Sequence, residues 1–361
     1  MQKWRGSAWA AAFLMLMAVI QSVQPSSAQE AGNFFAGKQI RIIVGTGTGG
    51  GYDTYARLVA RQLGQHIPGK PTFIVENMPG ASGIKAVNYL YSGVPNDGTV
   101  LATFNNAIPF YQAIGQPGIT FKSEELSWLG SLTQTASVIA VWQGAGVKNI
   151  EDAKKKEVII GATGAAGTKA TYPTLLNNTL GTKFKIVAGY EGSKTVLLAI
   201  ERDEVQGDGS NPWSTWRAAK PDWVKEGKII PLVQIGLKKE ADIPNVPLLT
   251  DLAANDEQRA MFAFVAAPVA MQQPFAGPPG MPAERLAILR RGFEAMVRDP
   301  AFRAEVEKLK LDLDPLPGAE VEKIARSVVS TPADIVQKVQ AAMAVKDAAQ
   351  APGSGSGKPA E

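Results

Sequence analysis

The stretch Ile42–Arg57, IIVGTGTGGGYDTYAR, joins an apolar, β-branched run to a helix-forming sequence through five glycines within seven residues. A strand that passes through a glycine-rich loop into a helix presents backbone N–H groups at the positive end of the helix dipole, an arrangement that binds anions. Thr46 and Thr48 lie in the same loop and can add hydroxyl donors. The stretch therefore predicts a strand-to-helix junction that holds a negatively charged group.

A second junction of the same kind occurs later in the chain. The run Gly161–Thr168, GATGAAGT, follows the apolar residues Val158–Ile160 and precedes a helical pattern. Ligands of open α/β sheets bind at the carboxyl ends of the strands. Two such junctions in two α/β units would therefore face each other across a cleft, although each loop alone is also consistent with a tight turn.

Strand and helix patterns alternate along the chain, which predicts an α/β protein with largely parallel sheets. About 320 ordered residues suffice for cores in two domains without disulfides. The predicted strands are Ile40–Val44, Thr72–Val75, Val100–Thr103, Val138–Trp142, Val158–Ile160, Phe184–Val187, Ile229–Ile235 and Ala263–Val269. The predicted helices are 52–63, 83–91, 150–155, 169–180, 194–201, 282–299, 300–309, 318–328 and 332–346.

The two ends of the chain read as segments outside the folded part. Residues 1–28 combine Lys3 and Arg5 with the apolar run Ala8–Ile20 and small residues up to Ala28, which is typical of a signal peptide cleaved near Ala28. The apolar run is short for a membrane span, so a retained anchor is the less favoured alternative. We therefore expect a periplasmic protein. Residues 347–361, which contain APGSGSGKPAE, predict a flexible tail.

Composition excludes several classes of partner and chemistry. The formal net charge of +4 falls to +2 once Lys3 and Arg5 are removed, and no basic cluster predicts a nucleic-acid surface. The chain has no cysteine and one histidine, His66, so thiolate metal sites and disulfides are excluded. No serine nucleophile motif accompanies His66. We expect no metal and no cofactor.

A dinucleotide-dependent enzyme is the competing interpretation. Gly45, Gly47 and Gly50 match G-x-G-x-x-G, and Glu76 closes the next predicted strand, where such folds place a ribose-binding acid. However, an exported chain would have to find its nucleotide outside the cytoplasm. Glu76 also begins a second glycine-bearing loop, and no residues form a recognisable proton-transfer centre. We therefore expect a binding protein and no enzyme.

Several motifs, in order along the chain, resemble the solute receptors of tripartite tricarboxylate transporters, the Bug family. Gly45–Gly51 followed by Asp53 is similar to the family's glycine loop and its aspartate, and Ala56-Arg57 follows as in that pattern. Val75–Gly83 matches V-E-N-x-P-G-A-x-G, and Pro95–Leu101 resembles P-x-D-G-[YT]-T-L. Later similar elements are Ala188–Gly192, Val205–Gly209, Ile243–Pro247 and Ala276–Pro282. The resemblance spans about residues 36–340.

The chain also departs from this pattern. Gly45–Thr48 replaces the Pro-Phe or Pro-Tyr pair that usually precedes the glycines. Gly167–Thr171, GTKAT, replaces a Gly-Ser loop with a histidine two residues on. Lys169 in this loop either points toward the ligand or faces water at the helix start. These departures leave the substrate open.

The resemblance implies a two-lobed, type II periplasmic-binding-protein-like fold with a mostly parallel sheet in each lobe and a ligand cleft between them. Lobe one would comprise residues 31–136 and 248–346, and lobe two residues 137–247. A monomer would capture a small mono-, di- or tricarboxylate or an aromatic acid and deliver it to membrane transporter subunits. A sensor subunit that reports the ligand to a membrane kinase is the alternative.

The same resemblance implies which residues bind the ligand. Backbone donors from both glycine loops would hold a carboxylate, with Asn105 and Asn106 as cleft-floor donors unless they only form a turn. Asp208 would accept from a ligand hydroxyl or ammonium, or brace the hinge, and Asp53 would cap or orient the first helix. The expected ligand-binding residues are Thr46, Gly47, Thr48, Gly49, Gly50, Gly51, Asn105, Asn106, Thr163, Gly164, Gly167, Thr168, Lys169, Tyr190, Ser193 and Asp208. Four tryptophans are expected to pack in cores: Trp142, Trp213, Trp216 and Trp223.

Overall fold

A computed structural model describes residues 34–165, 167–345 and 349–350. The predicted signal peptide, residues 1–28, and residues 351–361 of the predicted tail lie outside the described residues. None of the helices within the described ranges has both the length and the apolar character that crossing a bilayer requires.

Two six-stranded sheets organise the described residues. In chain order the strands are β1 (Gln39–Val44), β2 (Thr72–Asn77), β3 (Val100–Thr103), β4 (Ser127–Thr133), β5 (Ser137–Trp142), β6 (Val158–Ala162), β7 (Phe184–Ala188), β8 (Gly207–Pro212), β9 (Ile229–Ile235), β10 (Gln272–Gly277), β11 (Leu316–Pro317) and β12 (Ala349–Gln350). The first sheet has the order β11-β4-β10-β3-β1-β2, and the second has the order β12-β7-β6-β8-β5-β9.

Helices cover both sheets. In chain order they are α1 (Gly51–Gln62), α2 (Ile84–Ser92), α3 (Ile108–Ala113), α4 (Ile150–Ala153), α5 (Thr168–Leu180), α6 (Ser193–Glu201), α7 (Trp213–Ala219), α8 (Pro221–Lys225), α9 (Asp256–Ala266), α10 (Ala283–Arg298), α11 (Pro300–Lys308), α12 (Gly318–Val329) and α13 (Ala333–Met343). Short 3-10 turns, such as Ala267–Met271, connect some of them.

Each sheet combines parallel and antiparallel pairs. In the first, β1 pairs parallel with β2 and β3, whereas β10 pairs antiparallel with β3 and β4. In the second, β6 pairs parallel with β7 and β8, whereas β5 pairs antiparallel with β8 and β9. The predicted α/β fold class, with two sheets that each contain a parallel set, is confirmed.

Both sheets are buried on both faces, as expected of strands covered by helices. Neighbouring strand residues point to opposite faces, so Ile42 lies in one apolar cluster and Ile43 in another. Likewise Val138 and Ile139 lie in the two clusters of the second sheet. Continuous apolar runs in these strands therefore follow from burial on two sides.

Two segments that lie together cross between the sheets, and a third crossing leads from β11 of the first sheet to β12 of the second. β4 belongs to the first sheet and β5 to the second, and only residues 134–136 separate them. The chain returns from β9 to β10 through residues 236–271. The backbone N–H of Ala136 donates to Oε1 of Glu240 at 2.7 Å, so the two crossing segments are bonded to each other.

The strand prediction for Ala263–Val269 is wrong. These residues form the end of α9 and a 3-10 turn. Asn255 begins the helix, because its side chain accepts the backbone N–H of Gln258. A short apolar run does not distinguish a strand from a buried helix. Here the cap upstream of the run indicates a helix.

Strands β4, β8, β10, β11 and β12 were not among the predicted strands. β8 has the sequence GDGSNP, which lacks the β-branched and aromatic residues typical of strands. It is a strand because it lies between β5 and β6 and hydrogen-bonds to both. Tertiary pairing therefore overrides local propensity at this element.

Helices α9 and α13 pack on the second sheet. Phe262 of α9 and Val339 of α13 lie in the same apolar cluster as Ile160 of β6. The sequence assigned residues 248–346 to lobe one, whereas this packing joins α9 and α13 to the core of the second sheet. Ala349 and Gln350, expected in the flexible tail, pair in parallel with β7.

Candidate functional site

A cavity of about 770 Å³ lies where the two sheets face each other. One side is formed by the residues after β3 and by α3, and the other by the starts of α5 and α6 and the end of β8. The lining includes seven of the predicted ligand-binding residues: Asn105, Asn106, Thr163, Gly167, Thr168, Lys169 and Ser193.

The amino terminus of α5 forms the main polar wall. Gly167 precedes the helix, and Thr168 is its first residue. The amides of Ala170 and Thr171 both donate to the carbonyl of Gly167, which closes the first turn. The first amides of a helix have no acceptor within the helix and lie at its positive end, so this wall can receive an anion.

Lys169 neither faces water nor offers its charge to the cavity. Its Nζ donates to Oδ1 and Oδ2 of Asp208, at 2.6 and 2.5 Å, and to the carbonyl of Ser210 at 2.8 Å. The side chains of Lys169 and Asp208 are only 8% and 0% exposed. An ammonium group has three N–H donors, and all three are used here. Asp208 therefore pairs with the protein and does not line the cavity.

Close backbone packing accompanies this ion pair. A Cβ atom at Gly209 would lie 1.9 Å from the carbonyl oxygen of Lys169 and 2.6 Å from Cγ of Pro173. Only glycine lets β8 approach α5 so closely. The ion pair and this contact together position the amino terminus of α5 at the cavity.

Asn105 and Asn106 line the cavity from the first sheet, and both hold local structure. Oδ1 of Asn105 accepts the amide of Ala107 at 2.9 Å. The Asn106 side chain donates to the carbonyl of Pro268 at 2.6 Å and accepts from the Tyr52 hydroxyl at 3.1 Å. Burial raises the pKa of Tyr52, so its hydroxyl remains a neutral donor. Both side chains therefore form hydrogen bonds within the protein, as residues of a turn do.

The first glycine loop does not line the cavity. Thr46–Gly51 lie beside it, because Tyr52 follows the loop and bonds to Asn106. Gly47–Gly51 are exposed, and a Cβ atom at Gly47 or Gly50 would meet no atom within 4 Å. This loop is therefore open to solvent next to the cavity.

Asp53 orders this loop from within α1. The carboxylate is buried and accepts the amide of Gly49 at 2.9 Å and Nε of Arg57 at 3.0 Å. Asn77 Nδ2 donates both to Asp53 Oδ1 at 2.9 Å and to the carbonyl of Thr46 at 3.0 Å. The Arg57 guanidinium, with the other donors, lowers the pKa of Asp53 to about 2. The residues of the G-G-G-x-D and V-E-N motifs thus form one network.

Gly164 and Tyr190 also do not line the cavity. The carbonyl of Gly164 accepts the amide of Gly167 at 3.2 Å, which forms a turn before α5. Tyr190 is buried in an apolar cluster with Val196 and Trp213, and burial raises its pKa. Trp216 is in the same cluster, and Trp142 packs against Trp223 with ring centroids 4.8 Å apart.

Sequence reasoning missed two groups of lining residues. Asn211 is only 2% exposed, and its Nδ2 has no hydrogen-bond partner within the described part of the chain. It follows the Asp208 motif directly, but the strand that carries it was not recognised. The second group is an apolar wall: Phe110, Ile114, Val265, Val269 and Met343. Its residues come from three separate helices and a 3-10 turn, so no local pattern unites them.

Glu76 is the residue on which the enzyme interpretation placed ribose binding. Glu76, the proposed ribose ligand, is paired with Arg41 at 3.3 Å on the surface of β1 and β2. Across the residues that the structure describes, no group of three or more His, Cys, Asp or Glu side chains is arranged to hold a metal ion.

Comparisons with known proteins agree on one family. The model for tripartite tricarboxylate transporter family receptors matches residues 55–340. A UPF0065 protein from the gbd 5′ region of Cupriavidus necator is 25% identical over 292 residues, which cover 79% of this chain and 82% of that protein.

Solved structures share the fold. A TctC solute-binding protein from Polaromonas, without ligand, aligns with a TM-score of 0.64 and 19% identity over 83% of this chain and 98% of its own. An R. palustris protein with adipate aligns with a TM-score of 0.57 and 18% identity over 87% of this chain and 99% of its own. Because the family match covers most of its length, the chain belongs to the tripartite tricarboxylate transporter receptor family.

Proposed function

We propose that this chain is a periplasmic solute-binding protein that captures a small organic carboxylate and delivers it to a tripartite tricarboxylate-type membrane transporter. The observation that carries the proposal is the cavity wall built by the amino terminus of α5. Membership of the receptor family supports capture and delivery, and the adipate in a protein of the same fold supports a carboxylate.

The expected hydrogen-bond energies are sufficient for a receptor that binds a carboxylate reversibly. Hydrogen bonds from backbone amides to a carboxylate contribute about 1.5–3 kcal/mol each. Two or three of them, together with apolar contacts, support micromolar binding after the costs of association. No bond of the ligand needs to be made or broken.

We also propose that the lobes close on the ligand, and that closure brings the exposed loop Thr46–Gly51 against it. The loop lies beside the cavity through the Tyr52–Asn106 bond, and Asp53 holds its shape. Lobe one would then hold residues 31–136 and the chain from β10 to α12. Lobe two would hold residues 137–247 together with α9 and α13, in line with their packing.

Calorimetry with Thr168→Ala tests the assigned wall. Thr168 is the first residue of α5 and lines the cavity. Loss of its hydroxyl should weaken binding of organic acids about tenfold, because that is the change in affinity expected when one charge-assisted hydrogen bond is lost. Thr72→Ala, at an exposed position at the start of β2, is the matched control and should leave affinity unchanged. Equal affinity of both variants and the unaltered chain would contradict the proposed wall.

A further inference from the structure

The described lining of the cavity holds one cation, and that cation is paired within the protein. Among the described lining residues, Lys169 is the one basic residue and Glu191 the one acidic residue. All three donors of the Lys169 ammonium go to Asp208 and Ser210, and Glu191 is exposed to solvent. The described lining therefore presents no unpaired cation to a ligand.

The lack of an unpaired cation limits how many carboxylates the cavity can hold. A carboxylate removed from water requires donors or a counter-charge, and each additional carboxylate requires its own set. The starts of helices α5 and α6, which line the cavity, lie on the same side of it, together with Asn211. A carboxylate on that side can accept bonds from the amides of these helix starts, whereas a second carboxylate on the opposite side would meet no unpaired cation among the described lining residues.

Asn211 independently indicates that a hydrogen-bond acceptor of the ligand lies at this wall. Its side chain lines the cavity at 2% exposure, and its amide nitrogen has no partner within the described residues. Buried amide donors in folded proteins are nearly always satisfied, because leaving one unpaired is unfavourable. A ligand oxygen at this wall would satisfy it.

The opposite side of the lining carries an apolar surface, beside polar residues such as Gln116 and Gln272. Phe110 of α3 stacks on Phe264 of α9 with ring centroids 4.9 Å apart. Val265 and Val269 continue this surface, and Met343 at the end of α13 completes it. Contact between such a surface and a hydrocarbon group is favourable, whereas burial of a charged group against it is unfavourable.

We propose that the ligand is a monocarboxylate with an apolar aliphatic or aromatic body. Its carboxylate accepts hydrogen bonds from Asn211 and from the first amides of α5, and its body lies on the apolar wall around Phe110 and Val265. Lys169 and Asp208 position that polar wall and do not bind the ligand. This inference rests on the proposed function, which requires only that some organic carboxylate binds.

Calorimetry with two acids of equal carbon number tests the ligand class. Hexanoate and adipate share six carbons and differ in the second carboxylate, and 3-phenylpropanoate and citrate extend the comparison. Hexanoate and 3-phenylpropanoate should bind at least tenfold more tightly than adipate and citrate. Adipate or citrate binding as tightly or better would overturn this inference and leave the proposed function standing. If none of the four acids binds, this inference is overturned, and the proposed function fails only if a wider panel of organic acids also shows no binding.

Two substitutions test the assigned contact. Asn211→Asp is nearly isosteric and places a negative charge beside the ligand carboxylate, so hexanoate affinity should fall more than tenfold. Asn245→Asp makes the same change at an exposed position outside the cavity and should leave affinity unchanged. If Asn211→Asp does not fold, Asn211→Ala removes the donor without adding charge and should weaken binding in the same direction. Unchanged affinity in a folded Asn211 variant would overturn the assignment.

Discussion

Single residues at this site act mainly by holding backbone in place. Asp53 accepts from Gly49, Arg57 and Asn77 and so orders the glycine loop ahead of its own helix. Lys169 and Asp208 do the same for α5. In both cases the charges are used within the protein, and the groups left for a ligand are backbone amides and neutral side chains.

Asp53 makes stability depend on pH in acid. Because its pKa is lowered to about 2 in the fold, its contribution is fully present above pH 4 and is lost as the pH falls toward 2. The contribution is at most about 2 kcal/mol, since the paired Arg57 is 44% exposed and screened by water. Asp53→Asn should lower the free energy of unfolding at pH 7 and flatten its fall between pH 4 and 2.

Urea unfolding at pH 2–7 measures this effect. Glu157→Gln, an exposed acid after α4, is the control and should follow the unaltered chain throughout. An Asp53→Asn variant with the same acid dependence as the unaltered chain would show that Asp53 does not hold this pKa.

Residue roles were predicted unevenly from the sequence. The position of Asp53 four residues before Arg57, at a helix start, is a local pattern, and the structure has the carboxylate bonded to Arg57 and to the Gly49 amide just ahead of the helix. The partner of Lys169 was not predictable, because Asp208 lies 39 residues later on an unrecognised strand. The role of such a side chain depends on contacts between distant segments, and local sequence patterns do not specify these contacts.

At the scale of elements, the two glycine junctions share a sequence pattern and differ in setting. The second places α5 at the cavity wall, whereas the first lies exposed beside it. The pattern specifies a loop that leaves amides free, which is a local property. Whether the amides face a cavity depends on how helices such as α9 and α13 pack, and this is decided by the whole fold.

Gly209→Ala tests the contact between β8 and α5. The added methyl group would lie 1.9 Å from the carbonyl oxygen of Lys169, so strand and helix must separate. We expect a loss of about 3 kcal/mol or more in the free energy of unfolding, and weaker ligand binding in any folded fraction. Thermal melting measures the first and calorimetry the second. Gly164→Ala, whose methyl group meets no atom within 4 Å, should melt close to the unaltered chain. Equal melting of the two variants would contradict close packing at Gly209.

Gly50→Val tests whether the first glycine loop reaches the ligand on closure. Gly50 has φ −83°, which valine adopts, and a Cβ atom there meets no atom within 4 Å, so the open protein should keep its melting temperature. If the loop contacts the ligand, the branched side chain should obstruct it and reduce affinity more than tenfold. Full affinity in Gly50→Val would exclude the loop from the site.

For the whole molecule, the sequence predicted two α/β units and a cleft, and the structure has two sheets with a cavity between them, joined by segments that cross from one sheet to the other. Alternation of strand and helix patterns is sufficient for that conclusion. The assignment of α9 and α13 was not predictable, because α9 lies within the crossing segment 236–271 and α13 follows β11 of the first sheet, yet both pack on the second sheet. Chain order alone does not determine which core a helix covers.

The central claim is that the amino terminus of α5 receives a ligand carboxylate inside this cavity. A crystal structure of the chain soaked with the tightest-binding acid from calorimetry tests it most directly. The account predicts carboxylate oxygens within about 3 Å of the first backbone amides of α5, with Asn211 donating to the same group. A carboxylate bound elsewhere, with the start of α5 facing only water, would contradict it.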